Sequence, residues 1–462
     1  MYDCASMTTS SLYSSSMRDL EYYTYLRNWV LENVLSSSLQ SQDRPRPMER
    51  WSYSKARGLT NQLGIMEVKK KLNSKTIISF LALSALAAAL TTSGKSSFSI
   101  QQVAIQIPPI HPAILYARAH AKYGVEVPHN VSLAARSAKF DSLAATPFQN
   151  DVGYLCPVKL GRNTLMLDFD TGSSNLWAFT KNTPGVGSHR TYDPNTGIYL
   201  PEYSWSVSYG TGFSVYGDIY LDQVSVGRIT YHKQAIGTAE GFRPPEFVKD
   251  HRMVFDGILG LAFSQINTVI PVRQNTFYEN VKNDLSQPVF AAYLKHKAPG
   301  TYDFGFIDHK KHKGDLVWVE VDASYGFWNL TISGYAVGSF ASFIPFHAIV
   351  DTGTTLLLLE QRIVHGYYGD IPSAHDSEHA GGYIFRCNEK IPDLILIIGH
   401  HRAVIPGDHI KYDSNGTWCY GGLQTSHHPH YGILGDVFLK SQHVVFNSSN
   451  LHKPRIGIAN QR

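Results

Sequence analysis

One short phrase occurs twice in this 462-residue chain. It reads Leu167-Asp168-Phe169-Asp170-Thr171-Gly172-Ser173-Ser174 and then, 181 positions on, Ala348-Ile349-Val350-Asp351-Thr352-Gly353-Thr354-Thr355. Each copy has an apolar approach, Asp-Thr-Gly, and two hydroxyl residues. A second phrase repeats in step: the last glycine of Gly257-Ile258-Leu259-Gly260 follows Asp170 by 90 positions, and that of Gly432-Ile433-Leu434-Gly435 follows Asp351 by 84. A period this long is not a solenoid unit; it indicates duplicated halves. A single Asp-Thr-Gly reads as a turn, because Asp and Gly favour turns. Two copies, each paired with Ile-Leu-Gly, imply halves that each bring one carboxylate to a shared site. Carboxylates held close cannot both ionise easily, so they share a proton. Acid and base then stand side by side, and the chemistry calls for no metal and no cofactor.

The chain is longer than one hydrophobic core usually serves. Hydrophobic residues at 43% and charged residues at 17% fit a folded protein, and abundant Ser, Thr, Tyr and Gly suit an all-β one. Alternating patterns and turn clusters after about residue 143 read as strands. Trp205–Tyr209 and Gly212–Tyr220 read as a hairpin, and short helices are expected near Thr276–Leu285 and Glu360–Gly366.

At the repeated phrases the chain resembles the pepsin family of aspartic endopeptidases, and most of all its secreted fungal branch of penicillopepsin and aspergillopepsin type. The resemblance covers roughly residues 140–462. It rests on Asp170-Thr-Gly-Ser-Ser-Asn-Leu-Trp177, Tyr209-Gly-Thr-Gly212, Asp256-Gly-Ile-Leu-Gly-Leu-Ala262, Pro299-Gly-Thr-Tyr-Asp-Phe-Gly-Phe-Ile307 and Ile433-Leu-Gly-Asp-Val-Phe-Leu439. It implies an all-β, bilobal acid-protease fold with a cleft between two β-lobes, 143–320 and 321–462. It makes Asp170 and Asp351 the catalytic pair and leaves Asp168, which lacks the following Thr-Gly, structural. Ser173 and Thr354 match hydroxyls that bond the outer carboxylate oxygens. Gly172 and Gly353 match glycines packed against the carboxylates, and Thr171 and Thr352 match threonines that tie the two loops together. Tyr209, with Gly210 and Thr211, matches the mobile hairpin that closes over substrate, its phenol bonded to Trp177. Ile258 matches a wall of the first specificity pocket; a plain core isoleucine is the competing reading. Cys387 and Cys419 match the single disulfide of the fungal branch, and Cys156 reads as a buried free thiol.

The N-terminal region has its own organisation. Lys69, Lys70, Lys71 and Lys75 precede an apolar run of 14 residues, Ile77–Leu90, that ends in small residues. This is the pattern of a secretory signal, 66–93, and it is short for a membrane span. Residues 1–65 then read as an over-extended start, with a short helix near Arg18–Leu35. Residues 94–142 read as a propeptide, and the mature chain is expected to begin near Lys139–Thr146. Residues 1–140 carry 16 Lys and Arg against 8 Asp and Glu; the remainder carries 25 against 29. A basic leader on an acidic body points to an electrostatically docked propeptide, not to nucleic-acid binding. Lys122-Tyr123 resembles a propeptide pair that caps the carboxylates in related zymogens. Eighteen of the 21 histidines follow residue 140, with clusters at His400-His401 and His427-His428-Pro429-His430. They are expected to be solvated and to charge near pH 6. Asn130, Asn329, Asn415 and Asn447 begin glycosylation sequons, of which Asn329, in an expected strand, is the least accessible.

The function implied is a secreted endopeptidase that hydrolyses proteins and peptides at acidic pH through a water activated by two aspartates. Its partners would be protein substrates, pepstatin-type inhibitors and its own propeptide; a monomer with no stable membrane anchor is expected. The rivals are a catalytically silent binding protein on the same scaffold, which would usually lack an Asp or the flap Tyr, and a vacuolar processing protease, which differs in sorting. Fungal relatives that accept lysine at the cleaved position carry Asp where this chain has Thr211. Burying a substrate ammonium without a counter-charge is costly, so large apolar residues around the scissile bond are expected to be preferred. Peptides of equal length with Phe or Lys at that position should differ in kcat/KM by at least about tenfold in favour of Phe; comparable rates would defeat this expectation.

Overall fold

The computed structural model describes residues 95–104, 110–137, 154–209, 213–243 and 253–462. The expected signal, the segment 1–65 with its helix, the expected start of the mature chain and the hairpin tip at Gly210, Thr211 and Gly212 lie outside these residues.

Strands dominate, as the alternating patterns require. The duplicated phrases are neighbours in space in both halves. The strand Asn163–Asp170 runs parallel to Gly257–Gly260, with Gly260 opposite Asp170, and Leu176–Ala178 pairs antiparallel to the same partner. The second half repeats this. Phe346–Val350 runs parallel to Gly432–Leu434, which pairs antiparallel with Leu357–Leu359. The Ile-Leu-Gly strand is thus inserted between the strand that delivers the aspartate and the strand that leaves it. Glycine is required at its end: a Cβ on Gly260 would lie 2.6 Å from the Ser173 carbonyl oxygen, and one on Gly435 would lie 2.3 Å from those of Thr354 and Leu356. Backbone bonds lock the turn, from Leu261 N to the Asp170 carbonyl at 2.8 Å and from Asp436 N to that of Thr354 at 2.8 Å.

In the first half these strands belong to a nine-stranded sheet with the long hairpin Ile198–Tyr209 and Phe213–Val226. The second half has a five-stranded sheet and two four-stranded sheets. A six-stranded antiparallel sheet joins the halves in the order Phe98–Gln101, Ala298–Phe304, Val289–Lys295, Gln442–Asn447, Arg455–Asn460, Val317–Glu320. Phe290, fully buried, stacks on Phe446 at 4.6 Å and meets Trp328 edge-on at 5.9 Å. The Trp328 indole N–H donates to the Leu261 carbonyl at 2.9 Å, so core packing and a hydrogen bond join residues of both repeats.

The leader belongs to the same compact unit. Its first strand, Phe98–Gln101, forms an edge of the six-stranded sheet. Helix α1 (Pro112–Lys122) is capped by the His111 side chain and buries Pro112, Ala113, Ile114, Leu115, Tyr116, Ala117 and Ala119; helix α2 (His129–Ser137) follows. The contact along the helix face is therefore apolar, beside the electrostatic one expected from net charge. The charge matters at Lys122, described below.

The two helices expected from the sequence are Phe277–Val281, capped by Thr276 and shorter than the expected Thr276–Leu285, and Gln361–Tyr368; short helices Gly407–Ile410 and Asp436–Leu439 also occur among the described residues. Cys387 and Cys419 are disulfide-bonded, and Cys156 is a buried free thiol. Asn329 is 3% exposed on its strand, whereas Asn415 is exposed in a turn.

The histidines depart from the expectation of one solvated set. His443 is fully buried, and burial, followed by His312 stacked beside it, pushes its pKa down to about 3. Burial also lowers His312, His401 and His427, and takes His428 down to about 4. A ring that loses water without gaining a carboxylate partner favours its neutral form, and sequence clustering does not report that loss. Among the described residues, no group of three or more His, Cys, Asp or Glu is disposed to hold a metal ion.

The glycine requirement is testable. Gly260→Ala should lower stability by about 1–3 kcal/mol through overpacking against the Ser173–Ser174 backbone, measured as a shift of the urea midpoint.

Candidate active site

The two Asp-Thr-Gly turns face each other, and their threonines join them reciprocally. Thr171 N donates to Thr352 Oγ1 at 3.1 Å, and Thr352 N donates to Thr171 Oγ1 at 3.0 Å. Thr171 Oγ1 then donates across to the Val350 carbonyl at 2.9 Å, and Thr352 Oγ1 to that of Phe169. All these groups are buried, where each hydrogen bond is strong and each broken one costly. The turns cannot separate without orphaning donors on both sides.

Above this base sit the carboxylates, Asp170 at 1% and Asp351 at 0% exposure. Their surroundings match in pairs. Gly172 N donates to Asp170 Oδ1 at 2.8 Å, and Gly353 N to Asp351 Oδ1 at 2.9 Å. The Ser173 hydroxyl donates to Asp170 Oδ2 at 2.6 Å; that of Thr354 donates to Asp351 Oδ2. Each glycine also abuts the opposite acid. A Cβ on Gly172 would lie 2.5 Å from Asp351 Oδ1, and one on Gly353 2.3 Å from Asp170 Oδ1. Only bare backbone lets the acids approach this closely.

Helix α1 of the leader ends on this pair. Lys122 Nζ lies 2.7 Å from Asp170 Oδ1, 3.0 Å from Asp351 Oδ1 and 2.9 Å from Asp351 Oδ2. The Tyr123 phenol donates to Asp351 Oδ2 at 2.7 Å. Tyr123 meets Phe327 edge-on at 5.3 Å and Tyr431 at 6.0 Å, and His428 stacks on Tyr431 at 3.6 Å. Sequence reasoning missed Phe327 and Tyr431. The available signal was position, since Tyr431 directly precedes the second Gly-Ile-Leu-Gly.

The electrostatics follow from this geometry. Burial works against the Lys122 ammonium, but the two carboxylates together outweigh it and hold its pKa above the ordinary lysine value. Burial alone would raise Asp351; Lys122 and the hydrogen bonds it accepts outweigh that and hold it at about 2. Asp170 is raised, by burial first and then by the charge of Asp351, with Lys122 opposing. The two acids are thus pushed apart, one ionised and one inclined to keep its proton. Half-buried Asp168, on the same strand, is pushed up to about 8 by burial and by Asp170, so it is mostly neutral at pH 7 and adds little charge beside the pair.

Of the other expected site residues, Trp177 is fully buried and stacks on Trp205 at 5.7 Å. Ile258 pairs with Trp177 across the sheet and shares its apolar cluster with Val215 and Phe242 beneath the hairpin. Tyr209 ends the Ile198–Tyr209 strand; its side chain, like Gly210 and Thr211, lies outside the described residues.

A family model for eukaryotic aspartyl protease matches residues 153–461. The chain belongs to that family. Among its relatives, penicillopepsin-1 of Talaromyces stipitatus is 51% identical over 391 residues, which is 84% of this chain and all of that protein. Penicillopepsin-1 of Penicillium rubens is 45% identical over 83% of this chain and 96% of its own length. Aspergillopepsin-1 of Aspergillus oryzae is 44% identical over 82% and 96%. This aspartyl protease is an aspartic endopeptidase, a hydrolase of peptide bonds.

Removing the ammonium leaves two buried acids uncompensated. Lys122→Met should weaken leader docking by about 3–5 kcal/mol, read at pH 7 as a hydrogen-exchange rate in helix α1 at least about a hundredfold faster.

Proposed function

We propose that Asp170 and Asp351 are the catalytic pair of a secreted endopeptidase that works in acid. The observation that carries this reading is that two buried carboxylates, on turns tied by Thr171 and Thr352, converge on one lysine ammonium. With Lys122 withdrawn, a water takes its place between the acids. The ionised carboxylate accepts a proton from this water, whose oxygen bonds to the scissile carbonyl carbon. The protonated carboxyl polarises the carbonyl oxygen. The tetrahedral species then collapses, the C–N bond breaks, and the leaving nitrogen takes a proton. The pair titrates as a unit, so neither acid is assigned one microscopic role. Ser173, Thr354, Gly172 and Gly353 fix the carboxylates for this exchange, and fixed dipoles of this kind cost no reorganisation during reaction.

Without the lysine, the pair holds one proton only between its two titration steps, both of which lie in acid for such carboxylate pairs; an acidic optimum follows. Tyr209, Gly210 and Thr211 form the closing flap, and Trp177 and Ile258 back the pocket for large apolar side chains. Pepstatin-type inhibitors bind across the pair. Residues 94–142 are the propeptide, 66–93 the signal, and 143–320 and 321–462 the two lobes. That 84% of this chain accounts for the whole of one penicillopepsin supports treating 1–65 as outside the enzyme. Asn415, exposed, is the best glycan acceptor of the four sequons. The processed enzyme is monomeric and extracellular; vacuolar sorting of the same enzyme is the alternative.

Asp170→Asn and Asp351→Asn should each lower kcat on acid-denatured protein by about 10³-fold or more, with circular dichroism unchanged. Either variant digesting at the wild-type rate would overturn the assignment.

A further inference from the structure

Lys122 explains how the leader blocks the site but not how mild acid removes it. The lysine holds Asp351 at about 2, so this ion pair survives far below neutral pH. A group outside this ion pair, on the same helix, is placed to sense the first fall in pH. Two residues before Lys122, His120 lies 2% exposed in the docked face of helix α1. Its Nδ1 is 3.0 Å from the Tyr116 carbonyl oxygen, and its Nε2 has no hydrogen-bond partner among the described residues. Its ring is 5.2 Å from that of His427 on the body and 4.6 Å from that of Tyr116, whose phenol donates to the Thr425 carbonyl at 2.7 Å.

We propose that His120 and His427 form an acid-sensing contact, which stays closed while both rings are neutral and opens when they gain protons, drawing Lys122 off the aspartates. This rests on reading residues 94–142 as a propeptide.

The nearby carboxylates, Asp376 and Glu126, act from the His427 side, and among the described residues none bonds His120. On the body, Asp376 acts on His427 and on Tyr116, but burial raises its own pKa, so it loses charge as acid is added. His365, His375 and Glu378 surround Asp376, and the phenols of Tyr383 and Tyr420 lie on the Tyr116 side. In the loop that carries His427, His428 stacks on Tyr431 and His430 stacks beside Tyr325. Helix α1 itself carries the cations Arg118 and Lys122, and Glu126 follows in the chain, lining the open groove shared with His427, His428 and His430. Protonating His120 therefore places one cation against another in a desolvated contact.

The direction follows from linkage. Burial, and then His427, hold docked His120 at about 4 against an ordinary 6.5, with the bond to the Tyr116 carbonyl opposing. The released leader binds more protons between those values. Docking is thus at full strength above pH 6.5, weakens as pH falls to about 4, and loses nothing more from this group below that. The loss from His120 alone is on the order of a hundredfold in the docking equilibrium. His427, shifted the same way, adds to it.

The test uses full-length secreted precursor purified at pH 7.5 and stepped to values between 6.5 and 3.5. Appearance of the processed chain is followed by gel and N-terminal sequencing. His120→Gln removes the proton site from a segment that the processed enzyme no longer contains, so the product is wild-type enzyme and any change belongs to release. His427→Gln removes the other ring from the body side and decides the matter by itself if the first precursor is not secreted. The expected result is a conversion midpoint about one pH unit more acidic, and conversion at pH 5 slowed by at least about tenfold. Variants that convert along the wild-type pH profile overturn the histidine contact alone. A wild-type precursor that is fully active in acid while still untrimmed overturns the propeptide reading itself.

Discussion

Two carboxyl groups are held together where water is scarce, and the rest of the molecule is arranged around the cost of that. Neither acid ionises freely beside the other in a desolvated site. The protein meets the cost with directed donors: two glycine amides, two hydroxyls and, in the leader-docked form, one ammonium. The reciprocal threonine bonds below leave the turns no low-energy way to drift apart. Geometry and charge are therefore one constraint, since any separation of the loops would expose unsatisfied donors and rehydrate the acids.

The sheet architecture supplies the rigidity this needs. Each aspartate lies at the end of a strand that runs parallel to an Ile-Leu-Gly strand, with backbone bonds closing the turn beyond it. The six-stranded sheet and the Phe290–Phe446–Trp328 cluster connect the halves at the level of the core. The leader takes part in that framework. It adds an edge strand, buries an apolar helix face and brings Lys122 onto the carboxylates, so its contact with the pair is built on the same packing as the fold. A charge-only tether would come away as salt rose; an apolar helix that also delivers a buried lysine would not.

Much of this was legible in the residues. The doubled Asp-Thr-Gly and Ile-Leu-Gly phrases indicated duplicated halves, because spacing survives in the chain whatever the fold does with it. The strands flanking the hairpin were readable from alternation. The helix after Thr276 was overestimated, since Leu285 keeps the helical spacing of Val281 one turn further while the chain turns back to a strand at Val289. The histidines were misjudged for a deeper reason. His443 sits in a run that ends as a fully buried strand, and nothing in the local pattern says that both its ring nitrogens lose water. Burial arises from elements far apart in sequence.

The sequence by itself determined that there are two equivalent carboxylates, which glycines and hydroxyls accompany each, and that a basic segment precedes them. Motif chemistry is local, so it can be read locally. Only the tertiary structure decided which carboxylate oxygens Lys122 and Tyr123 meet, that Phe327 and Tyr431 enclose Tyr123, and which histidines have their pKa lowered. Those outcomes depend on distances and desolvation between segments as many as 309 residues apart, such as Tyr116 and Thr425, and no stretch of chain encodes its own distance from water.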